Sequence, residues 1–422
     1  MMRDKADAGR HILFLTLPTH AHLRPTLGVA RELIRRGHRV TYASYGPISE
    51  TARAIGAEVV TYETSLGADF KLRSYTEDEL GAYLLRGLTE RIAATLGIER
   101  QMQDDRPDLI AYDFMVWPPG RALGRKWELP TVRLLPIFAS NDAYSLEQAI
   151  IDLGDEPVLT DQAVAAEFHG LVTRFNAEYG LDASAAAGTG ERSMVFLPRS
   201  FQPCGETFGD DHVFVGPCFE AEPADEGWRA AEGDLRPMVF VSLGTVVDQP
   251  EFFWICAEAF DGQPWRVVLA VLDALDEQQM VSFPDNFTVR RWVPYGAVLP
   301  YAAVFVSQAG MGGIMEAARS ATPLVVIPYH HHPELRINAN RITELGMGQQ
   351  ILPVDLTAER LRQAVLDVAG DPRAAEAMVK LRADIQAAGG VARAADVIEE
   401  CLGMITYRSE QIGVVSSAHS GT

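Results

Sequence analysis

His20 and Asp113 are the residues best suited by position to move a proton. His20 comes after the apolar run Ile12–Leu17 and Pro18, so it lies in a turn that follows a predicted strand. Asp113 ends a second apolar run, Leu109–Tyr112, and the carboxyl ends of parallel strands share one edge of a sheet. A carboxylate on the second ring nitrogen fixes a histidine's tautomer and stabilises the imidazolium. The pair is a candidate general base; alternatively, His20 is a loop histidine and Asp113 caps a helix.

A glycine-rich segment, Ser307–Glu316 (SQAGMGGIME), has the composition of a phosphate-binding turn. It follows a predicted strand and opens a predicted helix, where glycines allow close approach and the helix terminus attracts anions. Glu316, about a turn into that helix, is placed either to accept hydrogen bonds from ribose hydroxyls or to face solvent.

Two further segments add polar and aromatic groups at strand ends. Thr245 closes the segment VSLGT, and it offers a hydroxyl and an amide to a phosphate or caps the next helix. Trp292, within RRWVPY, precedes a Val-Pro step and is suited to stack on a base or to pack in a core.

Two successive α/β series must position these residues. In the first, predicted strands at Ile12–Leu17 and Arg39–Ser44 flank a predicted helix at Leu27–Arg36. The stretch Glu220–Pro237, rich in acidic residues, Ala, Gly and Pro, indicates a linker. A second series begins with the apolar run Met238–Leu243. Two doubly wound domains place a ligand crevice at the carboxyl ends of their strands.

Composition excludes several classes of partner. The formal net charge is −20, which disfavours nucleic acid and anionic membranes but permits a small phosphorylated ligand held by backbone amides. No apolar run approaches the length that spans a bilayer. The 4 cysteines are scattered without a CxxC pair, as expected of a protein in the reducing cytoplasm.

Taken together, these segments resemble the UDP-glycosyltransferase superfamily, and above all its bacterial macrolide-type natural-product glycosyltransferases. The resemblance runs from about His11 to Leu402 through the motifs HILFLTLPTHAHLRPTLGVARELIRRGHRVTYA, PDLIAYDF, VFVSLGT, WVP, AGMGGIMEAARSATPLVVIP and INANRITELGMG. It implies an α/β protein of the GT-B class, with two Rossmann-like doubly wound domains facing across a cleft.

The same resemblance implies a division of the chain. Residues 1–219 are expected to form an acceptor-binding domain, 220–237 the linker, and 238–385 a nucleotide-sugar-binding domain. Residues 386–402 are expected to form a helix that can return to the N-terminal domain. Residues 403–422 are expected to be a flexible tail.

The resemblance also implies roles for the site residues. His20 is the expected base and Asp113 its partner. Trp292 is expected to stack on the nucleobase, Glu316 to bind the ribose and Thr245 to face the phosphates. The full set expected at the nucleotide sugar is Thr245, Trp292, Val293, Gln308, Gly310, Met311, Gly312, Gly313, Glu316, His332 and Glu334.

The implied reaction is a single displacement that inverts the anomeric carbon and requires neither a metal nor another cofactor. The base deprotonates an acceptor hydroxyl, and the glycine-rich helix terminus stabilises the departing diphosphate. The co-substrate is expected to be a UDP- or dTDP-sugar and the acceptor a hydrophobic natural product. The protein is expected to be a monomer or a homodimer.

Three positions depart from the family pattern at the donor side. Gln308 replaces a histidine that is directed at the diphosphate, and Tyr295 replaces a glutamine near the ribose. Glu334 and Leu335 stand for an acidic-Gln pair that contacts sugar hydroxyls, which favours a less hydroxylated sugar. Nearby, His330–His332 form a triplet. We expect one of its side chains to bind the phosphate or the sugar in place of the usual residues at positions 308 and 335, rather than to bind a metal.

Aromatic and thioether side chains in the N-terminal half are candidates for a flat or apolar acceptor pocket. They are Phe70, Met115, Trp117, Phe138 and Tyr144.

Two alternatives to a transferase are compatible with the sequence. One is a non-catalytic binding protein derived from a transferase, which the altered donor positions favour. The other is a sugar-nucleotide epimerase of the same architecture.

Overall fold

A computed structural model describes residues 9–17, 19–44, 48–62, 77–153, 161–181, 191–219, 234–244, 249–329 and 333–416. Two parallel sheets, one in each half of the chain, organise these residues. The predicted linker lies largely outside them, since residues 220–233 are not described.

The N-terminal sheet has the order β3-β2-β1-β4-β5-β6-β7 and every pair in it is parallel. Strands β1 and β4 are buried along their whole length because helices cover both faces. The strands are β1 His11–Leu15, β2 Arg39–Ser44, β3 Glu58–Thr61, β4 Leu109–Asp113, β5 Thr131–Leu135, β6 Ser193–Val195 and β7 His212–Phe214. The helices are α1 His20–Arg35, α2 Ile48–Ala54, α3 Glu77–Met102, α4 Trp117–Trp127, α5 Leu146–Asp152 and α6 Gln162–Tyr179.

The C-terminal sheet repeats the same winding with the order β10-β9-β8-β11-β12-β13. Its strands are β8 Met238–Ser242, β9 Arg266–Ala270, β10 Phe287–Arg290, β11 Val304–Ser307, β12 Leu324–Val326 and β13 Gly348–Gln350. The helices of this half are α7 Pro250–Phe260, α8 Glu277–Met280, α9 Tyr295–Val298, α10 Met311–Ser320, α11 Pro333–Glu344, α12 Ala358–Gly370, α13 Pro372–Ala387 and α14 Gly390–Ser416. Two Rossmann-like domains are therefore present, and the predicted fold class is confirmed.

Helix α1 begins earlier than its apolar pattern predicts. Instead of starting at Leu27, it starts at His20, with Thr19 as an extended N-cap residue, and it contains Pro25. Proline has no N–H, so the carbonyl of Ala21 lacks its usual intrahelical donor. The histidine-bearing first turn is thus helical, where the sequence predicts a loop.

The last helix, α14, leaves the C-terminal domain and packs on the N-terminal one. Arg36, at the end of α1, lies 2.7 Å from Asp396 and 2.6 Å from Glu399. The apolar side of α14, including the buried Ile398, belongs to the same core cluster as Ile12 of β1. The helix extends to Ser416, and the expectation of a flexible tail from residue 403 stays a prediction.

The domains also contact each other through the loop before β7. Arg341 of α11 donates from Nε to the carbonyl of Phe201 at 2.9 Å. Ser200 donates its hydroxyl to Asp384 of α13 at 2.6 Å. The N-terminal domain is thus joined by hydrogen bonds to two helices of the C-terminal domain.

Candidate active site

Both sheets reverse their strand order at one point, between β1 and β4 in one domain and between β8 and β11 in the other. Ligands of doubly wound sheets bind outside the strand ends at this point. Asp113 ends β4, and the glycine-rich turn follows β11. The chemical groups singled out in the sequence therefore converge on the two crevices that face the cleft.

His22 and Asp113 form the closest acid–base contact of the N-terminal crevice. The Nδ1 atom of His22 lies 2.6 Å from Oδ2 of Asp113, whose side chain is 1% exposed while that of His22 is 18% exposed. The other carboxylate oxygen accepts the backbone N–H of Met115 at 2.8 Å. With both oxygens engaged, the carboxylate is fixed and holds the imidazole in one orientation.

The environment of His22 raises its pKa above the ordinary value of 6.5. Burial by itself lowers the pKa, but the negative charge of Asp113 and its hydrogen bond outweigh that effect. Glu334, from the opposite domain, adds a smaller raising contribution across the cleft. The imidazole is thus a stronger base than a histidine in water.

The described geometry gives Asp113 a partner that differs from the predicted one, His20. The partner of the carboxylate is His22, two residues further along α1. The side chain of His20 lies outside the described residues.

The glycine-rich turn has a strained residue directly before its helix. Ala309 has a φ of +68°, and Gly310 then forms the N-cap of α10. The N–H of Ala309 lies 3.2 Å from the Ser307 hydroxyl, and the Ala309 carbonyl accepts Nδ2 of Asn338 at 2.9 Å. These two bonds hold Ala309 in its left-handed conformation. The first amides of α10, which follow it, have no acceptor within the helix.

Gln308 is a buried polar side chain at the same turn. It is 5% exposed, and its Oε1 has no hydrogen-bond partner in the part of the chain that the structure describes. Its Nε2 lies over Gly244, 2.8 Å from where a Cβ on that residue would stand, and Gly244 has a φ of +69°. A polar group left unsatisfied inside a cleft is expected to acquire a partner from a ligand or water.

Tyr295, which stands where the family has a glutamine, has an inward-facing side chain. Its hydroxyl donates to Ser242, the last residue of β8, at 2.8 Å. Its ring packs edge-on against Phe240 and Phe305. Just before it, Trp292 is 45% exposed and Val293 is buried, so the indole has a face available for stacking.

Glu316 is almost fully buried, with a side chain that is 3% exposed, and it is neutralised by two arginines. Arg24 of the N-terminal domain donates from Nη2 to Oε1 at 3.1 Å. Arg319, one turn further along α10, donates to Oε2 at 3.1 Å. Burial and pairing exclude the solvent-facing alternative for Glu316.

Helix α11 brings further polar groups to the cleft. Glu334 lies 3.4 Å from Nδ2 of Asn338, the amide that also binds Ala309. Sequence reasoning missed Asn338, although its motif INANRITELGMG was recognised. Leu335 is 5% exposed and packs inward, so it does not present a surface to a sugar in this structure. His332 and Thr245 lie outside the described residues, and their predicted roles stay predictions.

The candidate acceptor residues divide into three groups. Met115 and Trp117 are half-buried beside Asp113, and Phe114, which the sequence did not single out, has its ring 6.0 Å from that of His22. Phe138, a predicted acceptor residue, is 2% exposed and packs on Phe201, so it presents little surface to an acceptor in this structure.

Tyr144 is half-buried against Phe138, and burial raises the pKa of its hydroxyl to about 12. Phe70 lies outside the described residues. Within the described segments, no three His, Cys, Asp or Glu side chains are placed to hold a metal ion. None of the helices described there is long and apolar enough to cross a membrane.

The fold and the site together define a GT-B glycosyltransferase. The fold has two Rossmann-like domains, and the site has a His–Asp pair on one side of the cleft and a glycine-rich helix terminus on the other. Comparison with known proteins agrees. Residues 259–404 match the family described as erythromycin biosynthesis protein CIII-like, C-terminal domain. The chain is 37% identical to demethyllactenocin mycarosyltransferase of Streptomyces fradiae, over 93% of this chain and 86% of the relative.

Two other similarities cover nearly the whole chain. Oleandomycin glycosyltransferase of Streptomyces antibioticus is 32% identical over 96% of this chain and 93% of its own length. The crystal structure of the calicheamicin glycosyltransferase CalG4 superimposes with a TM-score of 0.83 at 35% identity, covering 94% of this chain and 98% of that one. The chain belongs to the macrolide-type natural-product glycosyltransferases of the UDP-glycosyltransferase superfamily. It is a glycosyltransferase, and its family uses nucleotide-sugar donors.

Proposed function

We propose that this enzyme transfers a sugar, with inversion, from a UDP- or dTDP-sugar to a hydroxyl or amine of a hydrophobic natural product, with His22 as the base. The contact of 2.6 Å between His22 and Asp113 carries the proposal. Relatives named for transfer to demethyllactenocin and oleandomycin support the class of acceptor. They support neither a binding protein nor an epimerase.

The proton is taken from the acceptor by the ring nitrogen of His22 that Asp113 does not engage. Asp113 stabilises the imidazolium that forms, because its charge lies 2.6 Å from Nδ1. The deprotonated oxygen or nitrogen attacks the anomeric carbon from the face opposite the nucleotide. The bond to the diphosphate breaks as the new glycosidic bond forms, which inverts the configuration.

The leaving diphosphate acquires charge at the start of α10. Amides of Met311, Gly312 and Gly313 can donate to it, and the positive end of the helix dipole favours it. Gln308 offers a neutral hydrogen bond where the family has a histidine. We assign the ribose to Glu316 and the base to the exposed face of Trp292.

Two measurements test this function. Titration of UDP, dTDP and GDP against thermal unfolding should raise the Tm with UDP or dTDP, since a ligand that binds only the folded state stabilises it. The anomeric proton coupling of the product, measured by NMR, should show inversion relative to the donor. Absence of a Tm shift with every nucleotide would contradict the proposed function, and a retained anomeric configuration would contradict the single displacement.

The cysteines bear on the compartment in which the enzyme works. All 4 are free thiols, Cys204 exposed and the others buried. We assign the enzyme to the reducing cytoplasm, where nucleotide sugars are available and exposed thiols persist.

A further inference from the structure

An ion pair crosses the cleft between the two domains. Arg24 lies on α1, two residues after His22, and its Nη2 is 3.1 Å from Oε1 of Glu316 on α10. The arginine side chain is 28% exposed, whereas the carboxylate is 3% exposed. The N-terminal domain thus reaches the residue that we assign to the ribose.

The two oxygens of Glu316 have different partners. Arg24 donates to Oε1, and Arg319 donates to Oε2 from the same helix. Each carboxylate oxygen has two lone pairs, so a guanidinium contact on an oxygen does not by itself prevent that oxygen from accepting a hydroxyl. Arginine contacts on both oxygens restrict rotation of the carboxylate plane and so fix the directions in which its lone pairs point.

The guanidinium of Arg24 is itself held in place. Its central carbon lies 5.1 Å from the centre of the Phe219 ring, a cation–π arrangement. Its backbone belongs to the helical turn that carries His22. A preorganised polar site requires such a rigid neighbour, because ordering Arg24 then does not reduce the free energy of ligand binding.

We propose that Arg24 is a positioning residue of the donor site, contributed by the N-terminal domain, which orients Glu316 to accept the ribose hydroxyls. This inference rests on the proposed function. It predicts that the donor site is complete only when Arg24 of the N-terminal domain contacts Glu316 as in this structure. It also predicts that one turn of α1 positions both the base and, through Arg24 and Glu316, the nucleotide sugar.

Substitution of Arg24 separates this role from a merely structural one. In Arg24→Gln, which removes the charge but keeps a polar side chain, we expect the KM for the nucleotide sugar to rise about tenfold, because a hydrogen bond to a charged group is removed. The KM for the acceptor and kcat should change little. Arg24→Lys should recover part of the donor affinity. Arg31→Ala, at an exposed position of the same helix, is the matched control and should leave all three constants unchanged.

A double substitution tests whether Arg24 acts through Glu316. In a Glu316→Gln background, Arg24→Gln should add little to the rise in donor KM, because the carboxylate that it orients is already gone. Independent, multiplicative effects would show a direct contact with the donor and overturn the positioning role. Tighter donor binding in Arg24→Gln would show that the ion pair competes with ribose, and would also overturn it. Calorimetry of UDP and dTDP with the unsubstituted enzyme separates these outcomes from failure of the proposed function, which predicts binding of one of them.

Discussion

His22 Nδ1 lies 2.6 Å from Oδ2 of Asp113, at the crevice where the N-terminal sheet reverses its strand order. The contact joins the first turn of a helix to the end of a strand that is 91 residues away in the chain. Its carboxylate is buried and its imidazole partly open to the cleft. Deprotonation of a bound acceptor requires an imidazole that is held on one ring nitrogen by a carboxylate and is accessible at the other.

Replacement of this histidine should abolish most of the transfer. In His22→Ala we expect kcat to fall about 10³-fold, a typical loss for removal of a general base. Steady-state kinetics with a fixed acceptor measures this, and unchanged nucleotide binding shows that the fold persists. His20→Ala is the matched control and should retain activity within about threefold, since the carboxylate engages His22. The reverse ranking of the two variants would return the catalytic role to His20.

The pH dependence should report the raised pKa of His22. Because the base must be neutral, kcat/KM should fall as the pH drops through a pKa above 6.5. In Asp113→Asn the raising charge is removed while burial, which lowers the pKa, remains. The acid limb should therefore move to lower pH, and the plateau should fall as well because an amide does not stabilise the imidazolium. An acid limb that stays in place would show that another group controls the profile.

Gln308 should contribute to diphosphate binding without adding charge. In Gln308→Ala we expect the Kd for UDP to rise a few-fold, as for removal of a neutral hydrogen bond, with binding of uridine unchanged. In Gln308→His, UDP binding should tighten as the pH falls below about 6.5, because imidazolium attracts the phosphates. Calorimetry at several pH values measures both. Equal weakening of UDP and uridine would show that the amide does not contact phosphate.

Leu335 should behave as a core residue. Leu335→Gln, which restores the family's usual side chain, places an amide at a position that is 5% exposed. We expect a loss of about 1–3 kcal/mol in the free energy of unfolding, the cost of an unsatisfied buried polar group. Leu335→Met conserves volume and should lose less than about 1.5 kcal/mol. Denaturant unfolding measures both, and a neutral glutamine variant would show that the side chain turns towards the cleft.

The parts predicted from sequence are those with a local signal. Apolar runs that alternate with helices indicated both sheets, and glycines after β11 indicated the turn that opens α10. The histidine that faces Asp113 depends on where α1 begins, and the apolar pattern predicted the helix only from Leu27, whereas it starts at His20. The pair of Arg24 and Glu316 joins residues 292 positions apart, so no periodicity could reveal it.

Burial was equally hard to predict at single positions. Phe138 was assigned to the acceptor pocket and Leu335 to the donor side by their place in the chain, but both are buried, with Phe138 packed on Phe201. The contact of Phe138 with Phe201 joins residues 63 positions apart, and no local pattern in the sequence reveals a contact of that range.

The return of α14 to the N-terminal domain has a consequence for synthesis on the ribosome. Ile12 and Ile398 share one core cluster, although nearly the whole polypeptide separates them. The domain that is made first therefore cannot cover its core until the last helix has left the exit tunnel. During that interval its exposed apolar surface is a target for chaperones. An early stop codon before Gly390 would allow both domains to be translated but would leave the apolar surface that α14 covers on the N-terminal domain exposed.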